Sequence, residues 1–360
     1  MKRVFTSDCE GPISKNDNAF EITAQFVPNG NKLFALISRY DDVLADAVKR
    51  QGYSAGGTLK LILPFLKAYG VTDNQMSEFS AQNLVLIAGS QYALQYVREI
   101  ASAFIVSTSY EHYIRALCEA LGFPYENTYC TQLSLDEYQL SAQEKLRLQE
   151  IAGEIAQMPM LTIPHSAKSV KDFSGTDQET LNRLDELFWK EIANMRIGRV
   201  FSEVKTVGGE QKAEAIRDAA KKLGAPLADV MYVGDSITDA EAFKLVRDNG
   251  GLTVSFNGNE YAVKNAEAAV LSENNIVTAA IADLFFKLGK RETLHVLQNW
   301  NREPLRKTTV SRQLLNKLFA LYPEALPKVQ IVTAENMETL VKESSEFRKS
   351  VRGEAIGRLG

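Results

Sequence analysis

Four short segments of this sequence carry residues that could act together on a phosphoryl group. Asp8 has a second carboxylate close behind it at Glu10, and Ser107 and Thr108 offer adjacent hydroxyls. Gly208-Gly209-Glu210-Gln211-Lys212 places an ammonium group near the start of a helical pattern, and Gly234-Asp235-Ser236-Ile237-Thr238-Asp239 carries two spaced carboxylates. Taken singly, each has an ordinary explanation. An Asp after a strand turns the chain, Ser107 and Asp239 cap helices, and Lys212 lies on the surface. Asp8 and Asp235 fit that explanation least, because each follows an apolar strand where a buried carboxylate is costly without a cation. Several anions gathered at adjacent strand ends repel one another, and a hard divalent cation with oxygen ligands is the usual compensation. With a hydroxyl and a lysine added, the set makes a phosphoryl site.

The elements that must position these residues alternate. Val4–Thr6, Ala103–Ser107, Asp229–Val233, Leu252–Phe256 and Ala269–Leu271 read as strands. Glu111–Leu121, Lys212–Leu223, Asp239–Asp248 and Asn275–Leu288 read as helices. Strands alternating with helices imply βαβ units and a parallel sheet, whose ligands bind outside the carboxyl ends of the strands. This α/β part is discontinuous: 1–15, 101–134 and 200–288. The segment 16–100 is helical, with an expected capping box at Asn18-Ala19-Phe20-Glu21 and a buried helix over Leu59–Leu66 that stops at Gly70. A second helical insertion spans 135–199, and a helical tail with prolines at 304, 323 and 327 spans 289–360.

The chain has 360 residues, enough for two or three core-bearing units, with 45% hydrophobic and 24% charged residues. That composition excludes a disordered or fibrous chain. The net charge of −4 disfavours a dedicated nucleic-acid binder. The tail carries thirteen Lys+Arg against eight Asp+Glu, a net +5, which leaves −9 on the rest. A solvated helical appendage docked on an acidic body is therefore expected. Three cysteines without a C-x-x-C pair argue against a disulfide framework or a structural zinc site. The longest uncharged run, Phe79–Val97, holds six polar residues and is read as one buried helix rather than a membrane span. The start Met1–Asp8 reaches a carboxylate too soon to suit a signal peptide, so a cytoplasmic protein is expected. His112, His165 and His295 lack partner spacing and read as helix-surface or core residues, and Cys9 as a packed strand residue.

In the order Asp8-Cys9-Glu10-Gly11-Pro12, Phe104-Ile105-Val106-Ser107-Thr108, Gly208–Lys212 and Gly234–Asp239, the chain resembles the phosphatase branch of the haloacid dehalogenase-like (HAD) hydrolase superfamily. The resemblance covers the core and continues from Gly251 to Asn274. It implies a Rossmann-like parallel-sheet core with a helical cap inserted after the first motif, joined here by the second insertion and the tail. It further implies that Asp8 is a nucleophile forming an aspartyl phosphate, and that Glu10 is the acid–base. Ser107, Thr108 and Lys212 would hold the phosphoryl group. Mg2+ would be held by Asp8, the Glu10 carbonyl and Asp235, with Asp239 assisting.

The second motif residue departs from the family pattern, since HAD phosphatases normally have Asp where this chain has Glu10. The extra methylene moves the carboxyl by ~1.5 Å, and a misplacement of ~1 Å can cost on the order of a hundredfold in rate. Within the cap, Tyr53-Ser54-Ala55-Gly56-Gly57-Thr58 is a candidate specificity loop, with Arg39 or Arg50 as anion partners. The expected function is a Mg-dependent phosphatase acting on a small phosphorylated metabolite, with no nucleic-acid or membrane partner. A non-turnover accessory protein is the alternative, and a dehalogenase is disfavoured because it has no need of the metal-site carboxylates. The stretch Asp8–Glu21 also resembles archaeal HAD proteins labelled as subunit R of energy-converting hydrogenase A, which would imply a protein partner.

Overall fold

A computed structural model describes residues 2–164 and 167–359; His165 lies outside them. Seven strands form one sheet: β1 (Val4–Ser7), β2 (Ser102–Tyr110), β3 (Thr128–Thr131), β4 (Val230–Gly234), β5 (Leu252–Phe256), β6 (Ala268–Leu271) and β7 (Lys328–Ile331). Their order is β3-β2-β1-β4-β5-β6-β7, with only β7 antiparallel to its neighbour. β1 pairs with β2 on one side and β4 on the other, so the strand order reverses between β1 and β4. A crevice opens at such a reversal, beyond the carboxyl ends of the strands.

β1, β4, β5 and β6 are buried along their whole length because helices cover both faces. Alternate residues serve opposite layers. Phe5, Met231 and Val233 join the core formed with helices Ser90–Ile100, Glu111–Leu121 and Ile276–Leu288. Val4, Val230 and Tyr232 face Ile216, Ala219 and Phe243 from helices Glu210–Leu223 and Ala240–Asp248.

A separate apolar core unites both insertions. Leu33, Ile37, Leu61 and Phe65 of the first pack with Leu148, Ile151, Leu184 and Phe188 of the second. The insertions thus build one helical layer rather than two appendages.

Several local expectations are corrected. Phe79–Val97 is not one helix: Asp73–Asn83 ends, residues 84–88 run extended, and Ser90–Ile100 begins after a left-handed turn at Gly89. The extended piece pairs with other chain segments, Leu86 bridging to Ser14 and Ala88 to Asn274, and those pairings replace helix bonds. Helix Ser90–Ile100 then packs on the sheet core, not with the other cap helices. The first helix is capped by Asp17, whose side chain accepts the Phe20 N–H, while Glu21 takes the Asn16 amide. The tail is not wholly helical, because β7 extends the sheet beside β6. Its Leu297, Leu314 and Leu318 are buried in the main core. Among the described residues no helix is long and apolar enough to cross a membrane.

Candidate active site

Asp8 follows β1 directly and its N–H donates to the Val233 carbonyl at 2.8 Å, which ties the first motif to the end of β4. Gly11 makes the next turn at φ +107°, where a Cβ would come within 2.1 Å of Asp235 Oδ2. Only glycine permits both that backbone and that approach. On β4, Gly234 meets Asp239 as closely, its absent Cβ falling 2.5 Å from the Asp239 carboxyl carbon. Sequence-local turns thus press three carboxylates together: Asp8, Asp235 and Asp239 each offer an oxygen within 4.8 Å of the others.

Lys212 holds this cluster together. Gly209, at φ +56°, turns the chain into helix Glu210–Leu223, and Lys212 continues that helix's buried stripe of Ala213, Ile216 and Ala219. Its fully buried Nζ donates to Asp8 Oδ2 at 2.6 Å and Asp239 Oδ1 at 2.7 Å. Burial disfavours the ammonium, but Asp239 and Asp8 raise its pKa above the ordinary lysine value, so it stays charged. Asp239 also accepts from Tyr232 Oη at 2.5 Å and from the N–H groups of Asp235 and Ser236. Burial works against its charge, yet Lys212 and these donors hold its carboxyl below the usual range. Asp8 differs: burial, opposed by Lys212 and reinforced by Asp239 and Asp235, pushes its carboxyl up to about 7.

The second motif supplies more than the two expected hydroxyls. Ser107 Oγ donates to Ser109 Oγ at 3.0 Å, and Ser109 donates to Glu10 Oε2 at 2.7 Å. Glu10 Oε1 accepts the N–H of Asn18 at 2.6 Å. The longer side chain is accommodated by this reach to the first turn of helix Asn18–Phe26. Burial, then the charge of Asp17, raises the Glu10 carboxyl well above the usual range. Thr108 Oγ1 is buried at the cleft without a partner.

A cleft of about 100 Å³, open to solvent, lies between this edge and the helical layer. Asp8, Glu10, Ser107, Thr108 and Asp235 line one side, and Ser38, Asp42, Gly56 and Thr58 the other. Lys212 and Asp239 sit behind the cleft wall. The loop Tyr53–Thr58 does face the site: Asp41 accepts N–H groups from Gly56, Gly57 and Thr58, and a Cβ on Gly56 would meet Thr108 at 2.9 Å. Arg39 and Arg50 do not line the cleft; Arg39 pairs with Asp42 and Arg50 with Asp185. His112 is buried and pairs with Asp73 at 2.9 Å, and His295 is exposed, so neither takes part.

The cationic lining comes instead from the tail. Arg348 and Arg352, on helix Met337–Arg352, both donate through Nη1 to Asp235 Oδ2, Arg352 at 3.1 Å. A signal for Arg348 was present in the sequence. Leu340, Ser344, Arg348 and Val351 follow helical spacing and are the buried residues of that helix, so an arginine continues an inward stripe. Ser109 could be found as the residue two after Ser107 on the same strand face.

The oxygen donors of Asp8 and Asp235 fit a hard divalent cation, being buried, anionic and convergent. The fold and this acidic strand-end cluster define a class, and the chain belongs to the haloacid dehalogenase-like hydrolases: the model of that family matches residues 93–283, more than half of the chain. The structure of gene product AF1437 from Archaeoglobus fulgidus is similar along the full length. It is 26% identical, covers 100% of this chain and 99% of its own, and has a TM-score of 0.80. Phosphoserine phosphatase in apo form is a remoter likeness, 12% identical over 76% of this chain and 96% of its own, with a TM-score of 0.46. No curated protein matches the chain.

Proposed function

We propose that this protein is a phosphohydrolase that cleaves a small phosphomonoester through an aspartyl phosphate on Asp8. The observation that supports this reading most is the juxtaposition of Asp8 and Asp235 at the β1/β4 reversal, with Lys212 bridging Asp8 to Asp239 from behind. An Asp8 oxygen forms a bond to phosphorus as the bond to the leaving alkoxide breaks. Glu10, whose burial favours the protonated carboxyl, gives its proton to that alkoxide. It then takes a proton from the water that attacks the aspartyl phosphate, releasing phosphate and restoring Asp8. Ser107 and Thr108 donate to phosphoryl oxygens, and Lys212 keeps Asp8 ionised enough to attack. Mg2+ would be held by Asp8, Asp235 and the Glu10 carbonyl, where it supplies charge neutralisation of the phosphoryl oxygens. Asp239, with five donors of its own, positions Lys212 and the Asp235 backbone.

The open space between core and cap suits a small metabolite, with Gly56, Thr58 and Asp42 as the residues that meet its leaving group. The second reading, a non-turnover accessory protein, is favoured by one observation: Asp235 is already paired with two guanidinium groups. A phosphomonoester panel assayed with Mg2+ separates the two. The enzyme releases phosphate from at least one member and loses that activity in Asp8→Asn, whereas the accessory protein stays at background throughout.

A further inference from the structure

The C-terminal helix does more than pack on the body. Arg348 and Arg352, one helical turn apart, converge on a single oxygen, Asp235 Oδ2, and all three side chains are nearly inaccessible. Arg348 Nη1 also reaches the Asp235 carbonyl at 3.2 Å, and its Nη2 the carbonyl of Leu359 at 3.4 Å. Arg352 clamps the first-motif loop, with Nε donating to the Lys15 carbonyl at 3.0 Å and Nη2 to that of Asn16. The tail is thereby fastened across Asp235, one of the carboxylates that the proposed function assigns to a cation.

Charge counting shows what this contact replaces. With Asp8 ionised, Asp8, Asp235 and Asp239 set against Lys212 leave two negative charges, the amount one divalent cation cancels. The two guanidinium groups bring the same two positive charges. A dication bound to Asp235 Oδ2 at roughly 2.0–2.6 Å would lie against both guanidinium groups, so on that oxygen ion and arginines exclude each other. We propose that helix Met337–Arg352 competes with the divalent cation for Asp235, and that cation binding requires its last turn to release that carboxylate. This rests on the reading of Asp8 and Asp235 as a cation site.

The contact is built so that it can let go. The buried Nε of Arg348 has no partner, so the closed form leaves a donor unsatisfied. The rest of the helix is anchored separately: Leu340 packs with Val263 and Ala269, and Ser344 donates to the Gly258 carbonyl at 2.6 Å. β7 holds the preceding segment to the sheet. Behind Arg352 the helix stops at Gly353, with φ +85°, and the short segment after it brings Leu359 to the cleft. Releasing residues 348–359 must also withdraw Val351 from the main core and Leu359 from the helical-layer core, while the anchors before them stay.

The test is Mg2+ binding by titration calorimetry on the full chain, comparing wild type with Arg348→Gln/Arg352→Gln. The double variant is expected to bind Mg2+ at least about tenfold more tightly. Equal affinities would overturn the competition and leave the cation site intact, whereas no binding by either protein would overturn both. Should the double variant not fold, hydrogen exchange on wild type decides. Saturating Mg2+ is expected to speed exchange in 348–359 and not in 328–340, and Asp235→Asn to abolish the effect. Bound Mg2+ with unchanged exchange in 348–359 would overturn the proposal.

Discussion

Gly11 and Asp235, far apart in the chain, approach so closely that a single added methyl cannot fit between them: a Cβ on Gly11 would lie 2.1 Å from Asp235 Oδ2. The turn that follows the candidate nucleophile is thus shaped around the carboxylate at the end of the neighbouring strand. Gly11→Ala is expected to destabilise the fold by about 1–3 kcal/mol from the left-handed backbone alone, and to displace Asp235. Urea unfolding measures the first effect, and weakened Mg2+ binding the second.

Lys212 is fully buried between two buried carboxylates. Lys212→Met keeps the length of the side chain but strands both anions. A loss of about 3–5 kcal/mol follows from leaving a buried charge uncompensated. Lys212→Met with Asp239→Asn should recover part of that loss, which a double-mutant cycle in urea would read.

Asp42, at the cap side of the cleft, has its carboxyl pushed up to about 7 by burial and the neighbouring Asp41, against Arg39. Because 3.8 is the ordinary value, the folded chain retains this proton between about pH 4 and 7 after the unfolded chain has lost it. Stability therefore falls as pH rises through that window. Asp42→Asn should remove this fall and gain on wild type toward pH 7 by at most about 4 kcal/mol. Urea midpoints at pH 4.5 and 7.5 give the comparison.

Glu10 spans from Ser109 to the N–H of Asn18. Glu10→Gln keeps that span without a transferable proton, so kcat should fall by roughly 10²–10⁴ with Mg2+ binding retained. Glu10→Asp keeps an acid but withdraws it by ~1.5 Å, and an intermediate loss is expected. Wild type at background with Glu10→Asp active would mark the accessory form, and equal rates in all three would remove Glu10 from the chemistry.

How much of this was legible in the sequence depended on how local the signal was. Asp8, Lys212, Asp235 and Asp239 each sit at the end of a strand or the start of a helix, where polar residues break an apolar run, and the parallel sheet makes those ends neighbours. The strands β4, β5 and β6 fall within a residue of their expected limits for the same reason. What escaped depended on tertiary docking. Arg348 and Arg352 look like solvated charges in a basic tail until the helix is placed against Asp235. β7 is a short strand between prolines and a helix, and only the free edge of β6 makes it one. The break at 84–89 arises because Ser14 and Asn274 supply backbone partners from distant segments. The shift of the cap from Asn18 to Asp17 frees the Asn18 N–H for Glu10, a link no local pattern shows.

Asp8 acting as the nucleophile is tested most directly by mass analysis of the Asp8 peptide after acid quench during turnover of an active phosphomonoester. The peptide is expected to be heavier by one phosphoryl group, labile to hydroxylamine, with the adduct absent from Asp8→Asn. Phosphate release without that adduct, or with the adduct on another residue, would contradict it.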